Sequence, residues 1–587
     1  MGIDSFAPSV KQKNMSSPQN IRPIRWLLNY RSSDFRGDLM AGITVAVMLI
    51  PQGMAYAMLA GLPPIYGLYA SIVPLSLYPL FGSSAHLSVG PVAVVSLLVL
   101  TGVSPFAEAG TSEYIALAIL ASLIAGVVQL LLGLFRLGFL VNFLSHPVLA
   151  GFTSAAAVII AGSQLKHIFG IQIPTSSKIH EILYGIWQHL ADIHLPTVLI
   201  GIGGILLILI FKKINKLIPG ALIVTVVGII LVKIGGLNER GISIVGDIPA
   251  SFPTFGLPDM SVATVAQMMP LALAICLISF IESLAIAKMI ATKEKTYKVI
   301  PNQELIALGL SKIGGAFFQS YPTTGSFSRS AINHENGANT GLASIIAALI
   351  VILALLFLTP VFYYLPNAIL AAIIIAAILK LVDIKTAKHL WHADRLDFIT
   401  FILTFLITLF VGIQAGVFSG VIASVTLMIY RNSVPHIAIL ERIEGTASYR
   451  SIQRFENTVS TDNVIIVRFD AQLYFGNAEY FQSYIEQLVH NFKEDMQLLI
   501  LDFSSISDVD SSGMQVLSET IDFVRANDIQ IFIACAIGPI RDKLFKSGLM
   551  AKIGEHNQFM KIHDAVTFYE NKDNNDVWKA GAIQRND

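Results

Sequence analysis

The sequence predicts a multi-pass, all-α membrane protein of about fourteen spanning segments, with a small α/β domain at its C-terminal end. Three observations predict it. Hydrophobic residues make up 54% of the 587 and charged residues only 13%. Uncharged apolar runs recur over residues 39–107, 341–379 and 398–430, the first alone long enough for about three spans at roughly 20 residues each. Beyond Tyr430 these runs stop, and strand-like and helix-like patterns alternate.

Residues 1–37 are polar and basic, too long a lead for the short n-region of a cleavable signal peptide, so the first span is expected to stay in place. Lys11, Lys13, Arg22, Arg25, Arg31 and Arg36 place this segment in the cytoplasm by the positive-inside rule. A membrane domain is expected over 38–432, with spans starting near Leu39, Tyr66, Val92, Tyr114, Phe139, Thr197, Pro219, Val265, Gln303, Ser328, Gly341, Leu365, Phe398 and Gly416. That count puts the loops bearing Arg136, Lys212, Lys213, Lys216, Lys293, Lys295, Lys298, Lys385, Lys388 and Arg395 on the same side as the N-terminus and the C-terminal domain. The 39 basic and 39 acidic residues balance, which argues against nucleic acid as a partner. Cys276 and Cys535 fall in a span and in the C-terminal domain, so no disulfide is expected between them.

Two of the expected spans are short and begin at breaks. Leu87-Ser88-Val89-Gly90-Pro91 precedes one, and Tyr321-Pro322-Thr323-Thr324-Gly325-Ser326-Phe327-Ser328-Arg329 opens the other. They are third and tenth in order, hence in equivalent places within halves of about seven spans, and an odd-numbered repeat reverses direction between copies. The two half-helices then enter from opposite sides and meet N-terminus to N-terminus near the bilayer centre. Free backbone N–H groups and the positive pole of each helix make that meeting point an anion site. Ser88, Gly90, Ser326 and Ser328 add hydroxyls or close backbone access, and Arg329 a permanent charge. The same small residues also suit tight helix packing, and Arg329 could instead hold a neighbouring helix or face the cytoplasm.

Glu282 has no charged neighbour between Ser261 and Lys288, which puts it near mid-membrane. An ionised carboxylate is expensive there, so protonation offers a way to carry a proton with the substrate. The alternative is a salt bridge to Arg329 that only holds the eighth and tenth spans together.

A linker is expected over 433–450, a second domain over 451–572 and a polar tail over 573–587. Strands are read at 464–469, 498–503 and 529–534, and helices at 478–492, 512–526 and 539–547. In Asp508-Val509-Asp510-Ser511-Ser512-Gly513 a serine stands at a helix N-terminus. Capping accounts for it, and phosphorylation or partner docking at Ser512 is the sharper reading.

The order and spacing of Ile50-Pro51-Gln52-Gly53-Met54-Ala55-Tyr56-Ala57, Leu62-Pro63-Pro64-Ile65-Tyr66-Gly67-Leu68-Tyr69, Ser88-Val89-Gly90-Pro91, Pro301-Asn302-Gln303-Glu304-Leu305-Ile306-Ala307-Leu308-Gly309 and the Pro322 to Arg329 tract resemble the sulfate permease family, also known as SulP and, in animals, solute carrier family 26. The Asp510 to Gly513 tract is similar to the signature of a sulfate transporter and anti-sigma antagonist (STAS) domain. This resemblance implies 7+7 inverted repeats with core and gate domains of the UraA-like kind, an elevator-like motion and a homodimer. It implies a substrate site between the first, third, eighth and tenth spans, and the candidate set becomes Gln52, Tyr56, Ser88, Val89, Gly90, Val92, Ala93, Ser326, Phe327, Ser328 and Arg329. Many animal members carry an aromatic residue where Val92 stands, so the pocket wall is smaller here.

The segment around Glu282 is similar to that of proton-linked sulfate permeases, whereas sodium-linked bicarbonate relatives tend to have aspartate. Uptake of a dianion into a negative-inside cell works against about 4.6 kcal/mol per 100 mV, from about 2.3 for each charge, which co-transported protons would offset. The expected function is proton-coupled sulfate symport. The alternatives are bicarbonate, chloride or dicarboxylate transport, and a membrane anion sensor signalling through a cytoplasmic partner of the STAS-like domain. The sequence has no metal-ligand spacing, no nucleophile with a base and no phosphate-cradling loop, so neither an enzyme nor a cofactor or metal is expected, and His86 reads as an interfacial residue. Few cysteines and no targeting segment fit a bacterial inner membrane, with a eukaryotic plasma or organelle membrane the other reading.

Overall fold

Apolar helices of very different lengths make up most of the chain, and their breaks fall where the sequence places proline, glycine and serine. A computed structural model describes residues 25–28, 30–139, 145–174, 176, 178–215, 219–258, 260–295, 297–379 and 381–571. Lys11, Lys13, Arg22, Lys216 and the tail 573–587 lie outside the described residues. The chain divides into a unit ending at Ser424 and a second beginning at Val425.

The first unit runs α1 (Arg25–Leu28), α2 (Phe35–Leu59), α3 (Ile65–Tyr69), α4 (Val73–Phe81), β1 (Val89–Gly90), α5 (Ala93–Val103), α6 (Ser112–Leu134), α7 (His146–Phe169), α8 (Ile179–Gln188), α9 (Leu195–Ile214), α10 (Gly220–Gly235), α11 (Val262–Glu294), α12 (Pro301–Phe317), β2 (Thr324–Gly325), α13 (Phe327–Glu335), α14 (Leu342–Phe357), α15 (Asn367–Ile378), α16 (Ile384–Ala393), α17 (Arg395–Phe410) and α18 (Ile413–Ser433), the last continuing into the second unit. Among the described residues, 6 helices are long and apolar enough to cross a membrane, and α5, α10, α14 and α15 are shorter apolar helices. The expected starts lie within a few residues of helix starts, except that the span expected near Phe139 begins at His146, where Pro147 sets the first turn. The amphipathic helices α8 and α16 were not anticipated from the hydrophobic runs.

Small residues set the closest approaches. A Cβ on Gly67 would collide with the Gly53 carbonyl, so the glycines of the first two motifs let α2 and α3 touch backbone to backbone. Gly126 and Gly309 do the same for α6 and α12, where a Cβ on either would stand 2.9 or 2.8 Å from the other's carbonyl oxygen. Buried polar groups fix the rest. Asp38 accepts from the backbone N–H groups of Asn339 (2.7 Å) and Thr340 (2.9 Å) and from the Thr340 hydroxyl (2.6 Å), tying the start of α2 to the α13–α14 turn. Glu304, in the first turn of α12, accepts from the Tyr78 hydroxyl (2.7 Å) and from the Ser83 N–H (2.8 Å) and hydroxyl (2.6 Å). Lys312 donates to Gln129 Oε1 at 2.9 Å, and Gln129 Nε2 donates to Ser279 Oγ and the Cys276 carbonyl, both at 2.9 Å.

The second unit is a sheet in the order β4 (Tyr449–Ser451), β3 (Ile437–Ile443), β6 (Val464–Phe469), β7 (Leu498–Asp502), β8 (Gln530–Ala534) and β9 (Gln558–Phe559), with β5 (Thr458–Val459) also on β3. Strands β6 to β9 are parallel and β3 is antiparallel to β6, so β3 occupies part of the 433–450 stretch expected as a linker. Helices α19 (Ala478–Phe492) and α20 (Ser511–Ala526) bury Phe481, Ile485, Leu517 and Ile521 with Leu499 and Leu501 of the sheet. Both cysteines are free thiols.

Candidate anion site at the helix crossover

Each half-helix starts where the preceding residues hold the backbone extended. Val92 before α5 and Ser326 before α13 are extended N-cap residues, following Pro91 and Gly325 respectively. Between the breaks, β1 and β2 pair antiparallel, Val89 opposite Gly325 and Gly90 opposite Thr324. The Ser326 N–H donates to the Ser88 carbonyl at 3.0 Å, and the Ser88 N–H donates to Ser330 Oγ at 2.9 Å. Because the two strands run in opposite directions, α5 and α13 leave the crossover in opposite senses with their N-termini side by side. The N–H groups of each first turn have no intrahelical acceptor, and the two positive helix ends face the same small region.

Long helix α11 braces the crossover. Ser283 Oγ accepts from the Gly325 N–H at 2.9 Å and lies 3.0 Å from Thr324 Oγ1, which donates to the Ser279 carbonyl at 3.0 Å. The Tyr321 and Ser96 hydroxyls, 3.2 Å apart, link the approach to β2 with the first turn of α5.

Arg329 sits in the first turn of α13, fully buried, and none of its three side-chain nitrogens has a hydrogen-bond partner. A guanidinium is charged at any physiological pH and carries five N–H donors, so this is an unmatched cation in a dry setting. Gly90 makes room for it, since a Cβ there would stand 3.3 Å from Nη2. Its charge acts on Tyr56, Tyr321 and Glu282. Glu282 Oε2 is also buried without a partner, as are Gln52 Oε1, Ser88 Oγ and Thr323 Oγ1. The Glu282–Arg329 salt bridge held open from sequence is therefore not formed. Unpaired buried polar groups are rare in folded proteins; the Arg329 N–H groups and the Ser88 and Thr323 hydroxyls can donate to an anion, whereas Gln52 Oε1 and Glu282 Oε2 only accept and call for a proton or water.

The structure brings Ser88, Val89, Gly90, Ser326 and Arg329 together through the crossover ladder and its flanking bonds. Gln52 and Tyr56 are buried in α2, Ala93 is buried in the first turn of α5, and Val92 is partly exposed. Phe327 is 54% exposed and Ser328 is exposed, so this pair lies on the open side of α13. Sequence reasoning passed over Ser96, Ser279 and Ser283 and did not single out Tyr321 or Thr323 as site residues, although Ser279 and Ser283, four residues apart, share a helix face. A cavity of about 350 Å³ between the ends of α2 and α7, lined by Gln164, Lys166 and His167, contains none of the crossover residues.

In the second unit, Asp510 is the N-cap of α20, accepting from the Gly513 N–H at 2.8 Å, and Ser512 is exposed in the first turn. Lys543 bonds Asp508 Oδ1, which holds that carboxyl below its usual range.

The pattern described as the Sulfate permease family matches residues 35–404, and that of the STAS domain matches 457–565. The chain is 39% identical to sulfate transporter 4.1, chloroplastic, of Arabidopsis thaliana, over 92% of this chain and 81% of that protein. It is 34% identical to high affinity sulfate transporter 2 of Stylosanthes hamata, over 94% of this chain and 86% of that one. Among solved structures it is similar to the murine solute carrier 26 family member A9 anion transporter in its inward-facing state, with a TM-score of 0.86 at 26% identity, covering 97% of this chain and 99% of that one.

Proposed function

This chain belongs to the sulfate permease family, and on that premise we propose that it carries sulfate across a membrane together with protons by secondary active transport. Membership makes it an integral membrane protein of an anion-transporting family with a C-terminal STAS domain. The observation that carries the finer reading is Arg329, a buried guanidinium with no protein partner at the meeting point of two helix N-termini. Sulfate has two charges and four acceptor oxygens, enough to take the guanidinium and first-turn N–H groups at once. Gln52, Tyr56, Ser88, Val89, Gly90, Val92, Ala93, Ser326, Phe327 and Ser328 line or frame this site.

Glu282 is the proton carrier. Its unpaired oxygen stands within the electrostatic reach of Arg329, so a second negative charge entering as sulfate favours uptake of a proton on the carboxylate. Sulfate and proton then occupy the site together, and the loaded core moves against the gate domain in an elevator-like step, within a homodimer whose N-terminus and STAS domain are cytoplasmic. Ser512 offers an exposed hydroxyl for phosphorylation or for a cytoplasmic partner.

Radiolabelled sulfate uptake into proteoliposomes under an inward proton gradient tests this. The native chain should accumulate sulfate, and Glu282→Gln should lose gradient-driven accumulation while keeping sulfate–sulfate exchange. Full gradient-driven accumulation by Glu282→Gln would reject the proton assignment, and no uptake by folded native protein would reject sulfate.

A further inference from the structure

We infer that His86, Glu294 and His334 form a binding site for a divalent transition-metal ion of the zinc type, at the end of the membrane unit where α11 and α13 finish. The three residues are far apart in sequence, which is why no ligand spacing shows there. His86 lies in the loop between α4 and β1, Glu294 is the last residue of α11, and His334 is in the last turn of α13. One ligand atom from each lies within 4.8 Å of the others. His86 is buried, only 3% exposed.

The protonation pattern suits a ligand. His86 Nε2 is 2.8 Å from the Ala338 carbonyl, which can only accept, so Nε2 carries the hydrogen and Nδ1 keeps its lone pair. A carbonyl on the far nitrogen is the support that fixes tautomer and ring orientation in metal-bound imidazoles. The rings are held as well: Tyr297 stacks on His86 at 5.7 Å, and His334 meets it edge-on at 5.3 Å.

His334 Nδ1 is the second observation. It lies 2.8 Å from Glu294 Oε1 and is buried, yet makes no aligned hydrogen bond. Without an ion the two form an ion-pair contact when His334 is protonated, and a metal that displaces that proton can take both atoms as ligands. On a tetrahedral zinc ion, bonds of about 2.0–2.2 Å put ligand atoms roughly 3.3 Å apart, between the 2.8 and 4.8 Å found here. Two imidazoles and one carboxylate favour zinc or a similar ion over magnesium or calcium, which take oxygen ligands. The fourth position falls to water or to the Tyr297 hydroxyl, which is 3.1 Å from His86 Nδ1 and donates to it when no ion is bound. Glu294 and His334 side chains are 30% and 25% exposed, leaving an entry path. A bound ion ties together the ends of the two helices that carry Glu282 and Arg329.

The test uses the purified full chain in detergent, stripped with chelator and titrated with Zn²⁺ by calorimetry, with Co²⁺ absorbance in parallel. One Zn²⁺ per chain is expected, with a Zn²⁺-dependent rise in melting temperature and the visible bands of tetrahedral Co²⁺. His334→Gln and Glu294→Gln should each weaken binding at least about 10-fold and remove both signals. The two side chains are part-exposed, so size-exclusion profiles should match the native chain, and either variant alone decides the result. Absent Zn²⁺ binding overturns the site, as does binding in either variant that is as tight as in the native chain, which would point to Cys535 or other ligands.

Discussion

Helices α11 and α12 each carry a carboxylate with a buried oxygen, Glu304 fully buried and Glu282 partly, and the protein treats them in opposite ways. Glu304 of α12 accepts three hydrogen bonds from Tyr78 and Ser83, whereas Oε2 of Glu282 in α11 has no partner. The buried cations divide in the same way. Lys312 donates to Gln129, itself anchored on Ser279 and the Cys276 carbonyl, while Arg329 has all three nitrogens unpaired. Burial of a charge in a membrane therefore does not by itself mark a working residue. Satisfaction separates the two regions: where the protein supplies the partners, the charge holds helices together, and where it withholds them, the charge is left open to a ligand, as the proposed function requires.

Several substitutions would break or sharpen that contrast. Arg329→Ala should lower sulfate uptake by about 1,000-fold, the equivalent of losing one desolvated charge pair of about 4 kcal/mol, with no loss of melting temperature. Substantial uptake by this variant in the proteoliposome assay would place the anion elsewhere. Glu304→Ala should act the other way, destabilising the chain by about 3–5 kcal/mol because the Tyr78 and Ser83 donors are stranded, while the protein that still folds keeps its sulfate affinity. Changed affinity with unchanged melting would move Glu304 into the working region.

Smaller effects follow from packing and capping. Gly67→Ala pushes a methyl into the Gly53 carbonyl and should cost about 1–3 kcal/mol of thermal stability, seen as a lower melting temperature in detergent. Asp510→Ala removes the α20 cap and should cost about 1 kcal/mol in the second unit, leaving sulfate uptake untouched. A transport defect there would tie the soluble unit to the transport cycle.

Much of this was legible in the sequence, for reasons that differ by element. Apolar runs located the helix starts, because a segment that must satisfy its own backbone in lipid has few options. The alternation at 464–469, 478–492 and 498–503 located β6, α19 and β7 almost to the residue. At the crossover, Pro91, Gly90, Gly325 and Ser326 announced the breaks, and Arg329 stood out as a charge among serines and threonines directly before a helical pattern. What stayed hidden was pairing across the chain. The bonds of Asp38 to Thr340, of Glu304 to Tyr78 and of Ser96 to Tyr321 join helices distant in sequence, and no periodicity encodes which faces meet. The amphipathic α8 and α16 were missed because a search for uncharged runs skips helices with one polar face. For the same reason the exposure of Phe327 was not foreseen: its place in the motif says nothing about which way its side of α13 is turned.

The short ladder of Val89 and Gly90 against Thr324 and Gly325 has a consequence for release of an anion bound as proposed. A clamp with hinged jaws releases by spreading them, but here the two jaws are stitched across their roots, and the Ser88 to Ser326 and Ser88 to Ser330 bonds lie within the seam. Spreading would rip that seam. If the anion binds there and the loaded core moves as proposed, the grip keeps one strength on both sides, dwell times differ through ionic concentrations, protonation and voltage, and water rather than hinge motion has to pry the ion loose.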